Sequence, residues 1–323
     1  MHDLVGKATL DILIGSRVSR ESFGPGTERP CLAVDLDGSD SGHGPWLQDL
    51  PCPVIGIGDG PLGDACDVVL PDQRGLDRIM TNVAKASIAA MILVQHLRAS
   101  ETLDLQDRLT AESFAYATAQ RGPEFLDWLK GYPKKTGTAA VNNDQLLVNI
   151  EDGQLHLTLN DPANRNAIGV MMRDALCEAL DLALADESFT RVTLAGTGRC
   201  FSTGGAVDEF GEISDPATAH WVRSLRLPAW RLARLADRLH VHVDGAAVGA
   251  GAEIAAFGSR VTATKNAWFQ LPELKYGLIP GAGGTASLPR RIGRQRTAYL
   301  ALSMKKLNAQ TALEWGLVDE IVS

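Results

Sequence analysis

Apolar residues near the N-terminus occur in short, uninterrupted runs rather than in a regular repeat. The runs at 31–34, 53–57 and 68–70 each have the length of a buried strand. Residues 20–50 are otherwise rich in Gly, Pro, Ser and Asp, which is typical of loops. We therefore predict three short strands joined by irregular chain at the start of the protein.

From about residue 75 to 129 the pattern changes, and apolar residues recur at spacings of three and four. This spacing places them on one face of a helix, where they can be buried together. We predict one helix whose buried stripe runs from Ile79 to Leu93, a second over 105–120 and a third over 124–130.

A second segment begins near Asn143, after a predicted linker at Gly131–Gly137. Alternating apolar and polar residues on both sides of Asp152-Gly153 indicate a hairpin. The predicted elements are hairpin strands 146–150 and 154–159, helices 170–185 and 221–238, and strands 191–195 and 239–243. Because strands alternate with helices, we predict a layered α/β domain. We divide the chain into an N-terminal region, 1–140, and a core, 141–323.

Composition and charge narrow the choice of partner and location. Of the 323 residues, 45% are hydrophobic and 22% are charged, which is enough to build a sizeable core. A net charge of -8 and the lack of a long basic run argue against nucleic acid. The five cysteines have neither zinc-ligand nor disulfide spacing. The apolar run Ala86–Val94 is too short to span a membrane, and residues 1–20 lack a secretory signal, so we expect a soluble cytoplasmic protein.

Two glutamates stand in apolar, glycine-rich surroundings, Glu253 within 248–254 and Glu273 within 269–274. Burial in such surroundings raises the pKa of a carboxyl, which suits an acid or base that works near neutral pH. Solvent-exposed surface glutamates are the alternative. The glycines before Glu253 can bring backbone N–H groups close to a ligand. The pair therefore predicts acid–base chemistry beside a polarised carbonyl.

Six motifs follow one another in the second segment. They are LNDPANRNAI at 159–168, FSTGG at 201–205, VGAGAEI at 248–254, FQLPEL at 269–274, GLIPGAGGT at 277–285 and AQTALEWGLVDEI at 309–321. Together they resemble the crotonase (enoyl-CoA hydratase/isomerase) superfamily over about residues 145–323. The resemblance implies a crotonase-like α/β fold, in which a β-β-α spiral builds nearly perpendicular sheets.

The resemblance also implies an acyl-CoA substrate whose thioester oxygen is held by the backbone N–H groups of Gly205 and Ala250. It implies that Glu253 and Glu273 move protons at the α- and β-carbons. The motif residues with implied substrate contacts are Arg165, Ala167, Thr203, Gly204, Gly249, Pro280 and Gly281. It further implies a homotrimer or hexamer with no metal and no cofactor, since coenzyme A is part of the substrate. From the charge and the short apolar runs we expect no nucleic-acid and no membrane partner.

Three functions are compatible with these motifs. Because both motif glutamates are present, the leading hypothesis is hydration of a trans-2-enoyl-CoA. A second hypothesis is isomerisation of a 3-enoyl-CoA, in which Glu273 alone shuttles the proton. A third is a non-catalytic acyl-CoA-binding or assembly subunit, because the ends of the chain differ from the family pattern.

The chain departs from the family pattern within the site and at its ends. Ala206 replaces the usual acidic residue, with Asp208 two positions later, and Asp244 replaces a common Asn. The family's C-terminal helical segment, which covers the active site, is missing after Ser323. Residues 75–130 resemble that segment. We therefore expect a degenerate or permuted arrangement, in which N-terminal helices pack where the C-terminal helices normally would.

Other features suggest chemistry of a different kind. His240, His242 and Asp244 share one face of a predicted strand, as metal ligands do, but no further ligand cluster lies nearby, which favours a structural role. Cys200 has no evident paired base, so a packed side chain is favoured over a nucleophile. Gly249-Ala-Gly251 lacks the third glycine of a dinucleotide site.

Overall fold

In a computed structural model, the chain is described at residues 4–16, 20–133, 144–213 and 215–323. Most of the predicted linker, and the predicted start of the second segment at Asn143, lie outside these residues. The domain boundary between the N-terminal region and the core therefore stays a prediction.

Helices and strands account for most of both segments. The N-terminal region contains α1 (Lys7–Gly15), β1 (Leu32–Asp35), α2 (Gly44–Gln48), β2 (Val54–Ile57), β3 (Val68–Leu70), α3 (Leu76–Lys85), α4 (Ser87–Ala99), α5 (Leu105–Ala119) and α6 (Pro123–Gly131). None of the helices in the described ranges is long and apolar enough to cross a bilayer.

The elements of the second segment follow in a similar alternation. They are β4 (Leu146–Glu151), β5 (Gln154–Leu159), α7 (Val170–Ala185), β6 (Arg191–Gly196), β7 (Cys200–Ser202), α8 (Pro216–Arg226), α9 (Ala229–Leu235), β8 (Leu239–Val243), β9 (Ala246–Val248), α10 (Ala250–Ala255), β10 (Arg260–Thr264), β11 (Trp268–Gln270), α11 (Gly284–Ile292), α12 (Arg294–Ser303), β12 (Leu307–Asn308), α13 (Ala309–Trp315) and β13 (Glu320–Val322).

Strands β1, β2 and β3 form a small parallel sheet in that order. Ile55 of β2 stands between Ala33 and Val68, and all three side chains are buried. A parallel sheet is normally covered on both faces, which explains the unbroken apolar runs of these strands. The three strands predicted at the start of the chain are confirmed.

The first predicted helix was wrong in its continuity, because the stripe from Ile79 to Leu93 is divided between α3 and α4. Ala86 leaves the helical conformation, with φ −143° and ψ 57°. The carboxylate of Glu124, on α6, accepts hydrogen bonds from the N–H groups of Ile88 (2.7 Å) and Ala89 (3.0 Å). A distant side chain therefore caps a new helix at this point. The helices predicted at 105–120 and 124–130 are confirmed as α5 and α6.

Two larger sheets form the second segment. The strand orders are β13-β10-β8-β6-β5-β4 and β12-β11-β9-β7. Neighbours in the six-stranded sheet are parallel except for the hairpin of β4 and β5, whose turn has positive φ at Asp152 (48°) and Gly153 (70°). The hairpin, the helix at 170–185 and the strands at 191–195 and 239–243 are confirmed.

The helix predicted over 221–238 was wrong in its extent. The chain forms α8 up to Arg226, turns at Leu227-Pro228, and continues as α9. The residue before a proline is pushed out of the α conformation, and Leu227 has ψ 122°. This turn brings the end of α8 to the candidate site.

One hydrophobic core joins the N-terminal helices to the second segment. Its buried side chains come from α3–α6 and from both larger sheets, whereas a smaller cluster lies within residues 5–66. The amide of Asn82, on α3, donates to the carbonyls of Leu302 (2.9 Å) and Ser303 (3.1 Å) at the end of α12. The N-terminal helices are therefore packed against the second segment.

Candidate active site

Glu253 lies within α10, and its side chain is only 2% exposed. Its Oε2 accepts hydrogen bonds from the N–H groups of Ala282 (2.7 Å) and Gly284 (2.8 Å). These two donors belong to the glycine-rich turn that leads into α11. Backbone N–H groups aimed at one oxygen favour the ionised carboxylate.

Glu273 approaches the same place from the turn that follows β11. Its Oε2 is buried and has no hydrogen-bond partner among the described residues. A β-carbon on Gly249, where φ is +50°, would lie 2.6 Å from Oε1 of Glu273, so this position requires glycine. The two glutamates thus differ sharply in hydrogen bonding.

Burial raises the pKa of both carboxyls. The pKa of Glu273 rises to about 8, chiefly because burial removes water from its charged form, and the charge of Glu112 adds to the rise. The pKa of Glu253 rises well above its usual range, first through burial and then through the charges of Glu273 and Glu112. Two like charges in one water-poor cavity repel each other, so the pair retains a proton near neutral pH. The site therefore places two carboxyls that can exchange protons in one cavity.

The backbone N–H groups of Gly205 and Ala250 lie beside these carboxyls. Gly205 pairs with Ile168 in an isolated parallel β-bridge. The two hydrogen bonds of this bridge join Ile168 to the carbonyl of Gly204 and to the N–H of Ala206, so the N–H of Gly205 itself points away from Ile168. Ala250 is the first residue of α10, where N–H groups have no partner within the helix. These groups could hold an oxyanion.

Two adjoining cavities meet at this point. The inner cavity, of about 190 Å³, is lined by both glutamates and by Gly205 and Ala250. The outer cavity, of about 530 Å³, shares Thr203, Gly205 and Val207 with it. A ligand can therefore extend from one cavity into the other past the two N–H groups.

The residues with implied substrate contacts are distributed over both cavities. Thr203, Gly204, Gly249 and Gly281 line the inner cavity, and Arg165, Ala167 and Thr203 line the outer one. Pro280 is buried and is not among the described residues that line either cavity. The roles of all these residues stay predictions.

The N-terminal helices cover the inner cavity within the same chain. Tyr116 of α5 lines it, and a β-carbon on Gly281 would lie 2.2 Å from Cδ2 of that ring. Similarly, a β-carbon on Gly277 would lie 2.5 Å from the backbone nitrogen of Phe125, on α6. This close packing agrees with the expectation that N-terminal helices form the roof of the site.

Glu112 is a third buried carboxyl at the site, and it was missed in the sequence. It lies on α5 and is 1% exposed. It accepts hydrogen bonds from Gly283 N (2.7 Å), Thr285 N (2.8 Å) and Thr285 Oγ1 (2.6 Å). Successive amides of the turn thus alternate between Glu253 and Glu112. Burial raises the pKa of Glu112 to about 7, although these hydrogen bonds oppose the rise.

The model of the family described as enoyl-CoA hydratase/isomerase matches residues 149–323. The chain belongs to the enoyl-CoA hydratase/isomerase family. It is 36% identical over 178 residues to 2,3-dehydroadipyl-CoA hydratase of Escherichia coli (strain K12), and these residues cover 55% of this chain and 69% of the relative. It is 37% identical over 183 residues to 1,2-epoxyphenylacetyl-CoA isomerase of the same strain, with the same coverage.

Solved structures confirm the predicted fold class. Enoyl-CoA hydratase subunit I of Geobacillus kaustophilus HTA426 matches with a TM-score of 0.51 at 28% identity, covering 55% of this chain and 69% of that chain. A crotonase from Legionella pneumophila, described as an enoyl-CoA hydratase/isomerase, matches with a TM-score of 0.51 at 26% identity, covering 55% and 70%. The crotonase-like α/β architecture is thus shared with this family.

The structure also bears on the other chemistry suggested by the sequence. Nδ1 of His242 lies 3.0 Å from Oγ1 of Thr262, and no cluster of three metal-ligating side chains occurs in the part of the chain that the structure describes. Cys200 is buried, and burial raises the pKa of its thiol. Its Sγ donates to the carbonyl of Arg165 at 3.5 Å, which fits a packed side chain.

Proposed function

We propose that this chain hydrates 2-enoyl-CoA thioesters. The main support for this proposal is the difference between the two buried glutamates of the inner cavity. Glu253 accepts hydrogen bonds from two backbone amides, whereas Oε2 of Glu273 has no partner among the described residues. Addition of water needs a base for the water and an acid for the carbon that receives its proton. The family of the chain supports an enoyl-CoA substrate.

The steps follow from the positions of these groups. The N–H groups of Gly205 and Ala250 hold the thioester oxygen, which gains negative charge as the C=C electrons move towards the carbonyl. Glu253, as the carboxylate, takes a proton from water while the water oxygen bonds to the β-carbon. Glu273, as the acid, delivers its proton to the α-carbon. In each turnover Glu253 gains one proton and Glu273 loses one, so the total number of protons on the pair is unchanged. Coenzyme A is part of the substrate.

The expected loss of turnover is large enough to test the role of each group by mutation. Removal of one oxyanion donor typically slows turnover by about 100- to 1,000-fold. Loss of a positioned acid or base typically costs about 100- to 10,000-fold. We therefore expect Glu253→Gln and Glu273→Gln each to lower kcat for a trans-2-enoyl-CoA by at least about 100-fold. The loss of enoyl absorbance measures the rate, and the exposed Glu314→Gln provides a matched control.

Unchanged turnover of every tested thioester in both glutamate variants would contradict catalysis and support the binding-subunit hypothesis. Circular dichroism of each variant establishes that the fold is retained. A binding subunit would still bind acyl-CoA under these conditions.

Isomerisation is the second candidate, favoured by the unpartnered Oε2 of Glu273, which could remove and return a proton alone. The product distinguishes the two reactions, because hydration yields a 3-hydroxyacyl-CoA and isomerisation a 2-enoyl-CoA. If the isomerase hypothesis holds, Glu253→Gln should retain turnover of a 3-enoyl-CoA that Glu273→Gln loses.

A further inference from the structure

An arginine lies in the inner cavity, on the part that the outer cavity does not share. Arg223, near the end of α8, lines the inner cavity with Tyr116, Leu227 and Gly281. None of these four is among the residues lining the outer cavity. An acyl group that passes Gly205 from the outer cavity would therefore extend towards Arg223.

The guanidinium of Arg223 is held in place by α5. Nε donates to Oγ of Ser113 (3.0 Å), Nη1 to Oε1 of Gln120 (3.1 Å) and Nη2 to the carbonyl of Ser113 (3.1 Å). The ring of Tyr116 stacks under the group, 4.9 Å from its central carbon. Such contacts fix the orientation of the cation before any ligand binds.

These contacts do not use all the donors of Arg223. A guanidinium has five N–H groups, and the three hydrogen bonds leave one on each terminal nitrogen without a partner among the described residues. Two N–H groups on neighbouring nitrogens can hold a carboxylate bidentately.

Among the described residues no carboxylate oxygen lies within ion-pair distance of Arg223, although the charge of the nearby Glu112 attracts it. Arg223 is absent from the ion pairs among the described residues, whereas Arg173 in the same cavity is paired with Asp174. The nearby Glu112 uses its oxygens on Gly283 and Thr285. Burying a cation is costly unless an anion accompanies it.

We propose that the inner cavity selects acyl groups that carry a carboxylate at the end distant from the thioester, and that Arg223 binds this carboxylate. The proposal rests on the acyl-CoA substrate of the proposed function. A bound carboxylate would supply acceptors for the two remaining N–H groups and a direct ionic partner. The alternative is that Arg223 only clamps α8 to α5.

Binding of two saturated thioesters separates these possibilities. Adipyl-CoA and hexanoyl-CoA have acyl chains of equal length, and only the first has a terminal carboxylate. We expect calorimetry to show that the protein binds adipyl-CoA about 10- to 100-fold more tightly, as a charge-assisted hydrogen-bonded pair predicts. Arg223→Met should reduce this ratio to near one, whereas Arg223→Lys should keep part of it. Arg74→Met, outside both cavities and paired with Asp72 at the surface, should leave the ratio unchanged.

A ratio of one or less in the unmodified protein, or an unchanged ratio in Arg223→Met, would overturn the proposal. Neither thioester has a double bond, so these results do not depend on hydration. Selective binding of adipyl-CoA without turnover of its 2-enoyl form would overturn hydration alone. Failure to bind either thioester would overturn this proposal together with the acyl-CoA substrate.

Discussion

The carboxyl groups of Glu253 and Glu273 are each placed directly against a glycine. A β-carbon on Gly284 would lie 2.4 Å from Cγ of Glu253, and one on Gly249 would lie 2.6 Å from Oε1 of Glu273. These glycines therefore make room for two carboxyls in one small cavity, in addition to exposing backbone donors. Burial is the main cause of the raised pKa values of both carboxyls, and these shifts should affect stability as well as catalysis.

The first consequence is a dependence of stability on pH. The pKa of Glu273 is about 8 in the folded chain, above its ordinary value of 4.5. Between these values the folded chain keeps a proton that the unfolded chain has lost, so stability falls as pH rises. Its contribution is at most about 1.4 kcal/mol per pH unit. Urea unfolding at pH 5 to 8 should show a shallower decline for Glu273→Gln.

The exposed Glu314→Gln should retain the full decline. Because Glu253 and Glu112 have pKa shifts of the same sign, some decline should remain in Glu273→Gln. A decline of equal steepness in Glu273→Gln and in the unmodified protein would contradict the raised pKa of Glu273.

At the scale of elements, the site depends on how α5 packs against the turn before α11. The amides of Ala282 and Gly284 bind Glu253, and those of Gly283 and Thr285 bind Glu112. One short turn is thus shared between a carboxyl of the second segment and one of the N-terminal region. Displacement of α5 should therefore disturb Glu253 as well as the roof of the cavity.

The contact of Tyr116 with Gly281 tests this coupling. The β-carbon of Gly281→Ala would lie 2.2 Å from the ring, so the variant should unfold about 1–3 kcal/mol more easily and have a lower kcat. Tyr116→Ala removes the obstacle. In a double-mutant cycle by urea unfolding, Gly281→Ala should therefore cost much less when Tyr116 is already alanine.

Gly131→Ala is a matched control, because a β-carbon there has no atom within 4 Å. This change should be close to neutral. Additive costs of Gly281→Ala and Tyr116→Ala would show that the ring does not oppose the new methyl group.

The sequence pattern predicted helices and strands well where interactions between neighbouring residues determine their bounds. Helix α7 and strand β8 have the bounds that periodicity gave. The break at Ala86 could not be predicted in this way, because the cap comes from Glu124, 36 residues beyond Ile88. The break at Pro228 had a local signal, since proline restricts the preceding residue.

Within the site, too, residues whose surroundings are close in sequence were predicted, and residues buried by distant contacts were missed. Glu253, Glu273 and the glycine motifs are close to one another in sequence, and their surroundings already indicated burial. Glu112 stands on a helix of mixed apolar and polar residues, and a glutamate on a helix is usually exposed to solvent. It is buried because α5 packs against the turn before α11, whose Gly283 and Thr285 lie 171 and 173 residues away along the chain. Arg223 was missed for the same reason.

For the whole molecule, the N-terminal region and the second segment share one hydrophobic core, and both line the inner cavity. The buried faces of α3–α6 lie against the second segment, and Asn82 and Glu112 satisfy backbone groups of it. Loss of these helices would expose apolar surface and leave the amides of Gly283 and Thr285 without Glu112. We therefore expect the residues of the family match, 149–323, to depend on the N-terminal helices for stability.

Separating the two segments should show how far residues 144–323 depend on the N-terminal helices. We expect a fragment of residues 144–323 to be aggregated, or to lose nearly all hydratase activity, because it lacks Tyr116 and Glu112. Coexpression of residues 1–133 should restore activity, since the contacts between the segments are non-covalent. Full-length protein cut at a protease site inserted within 134–143 should stay active and elute as one species. A soluble 144–323 fragment with full activity would show that the N-terminal helices are not the roof of the site.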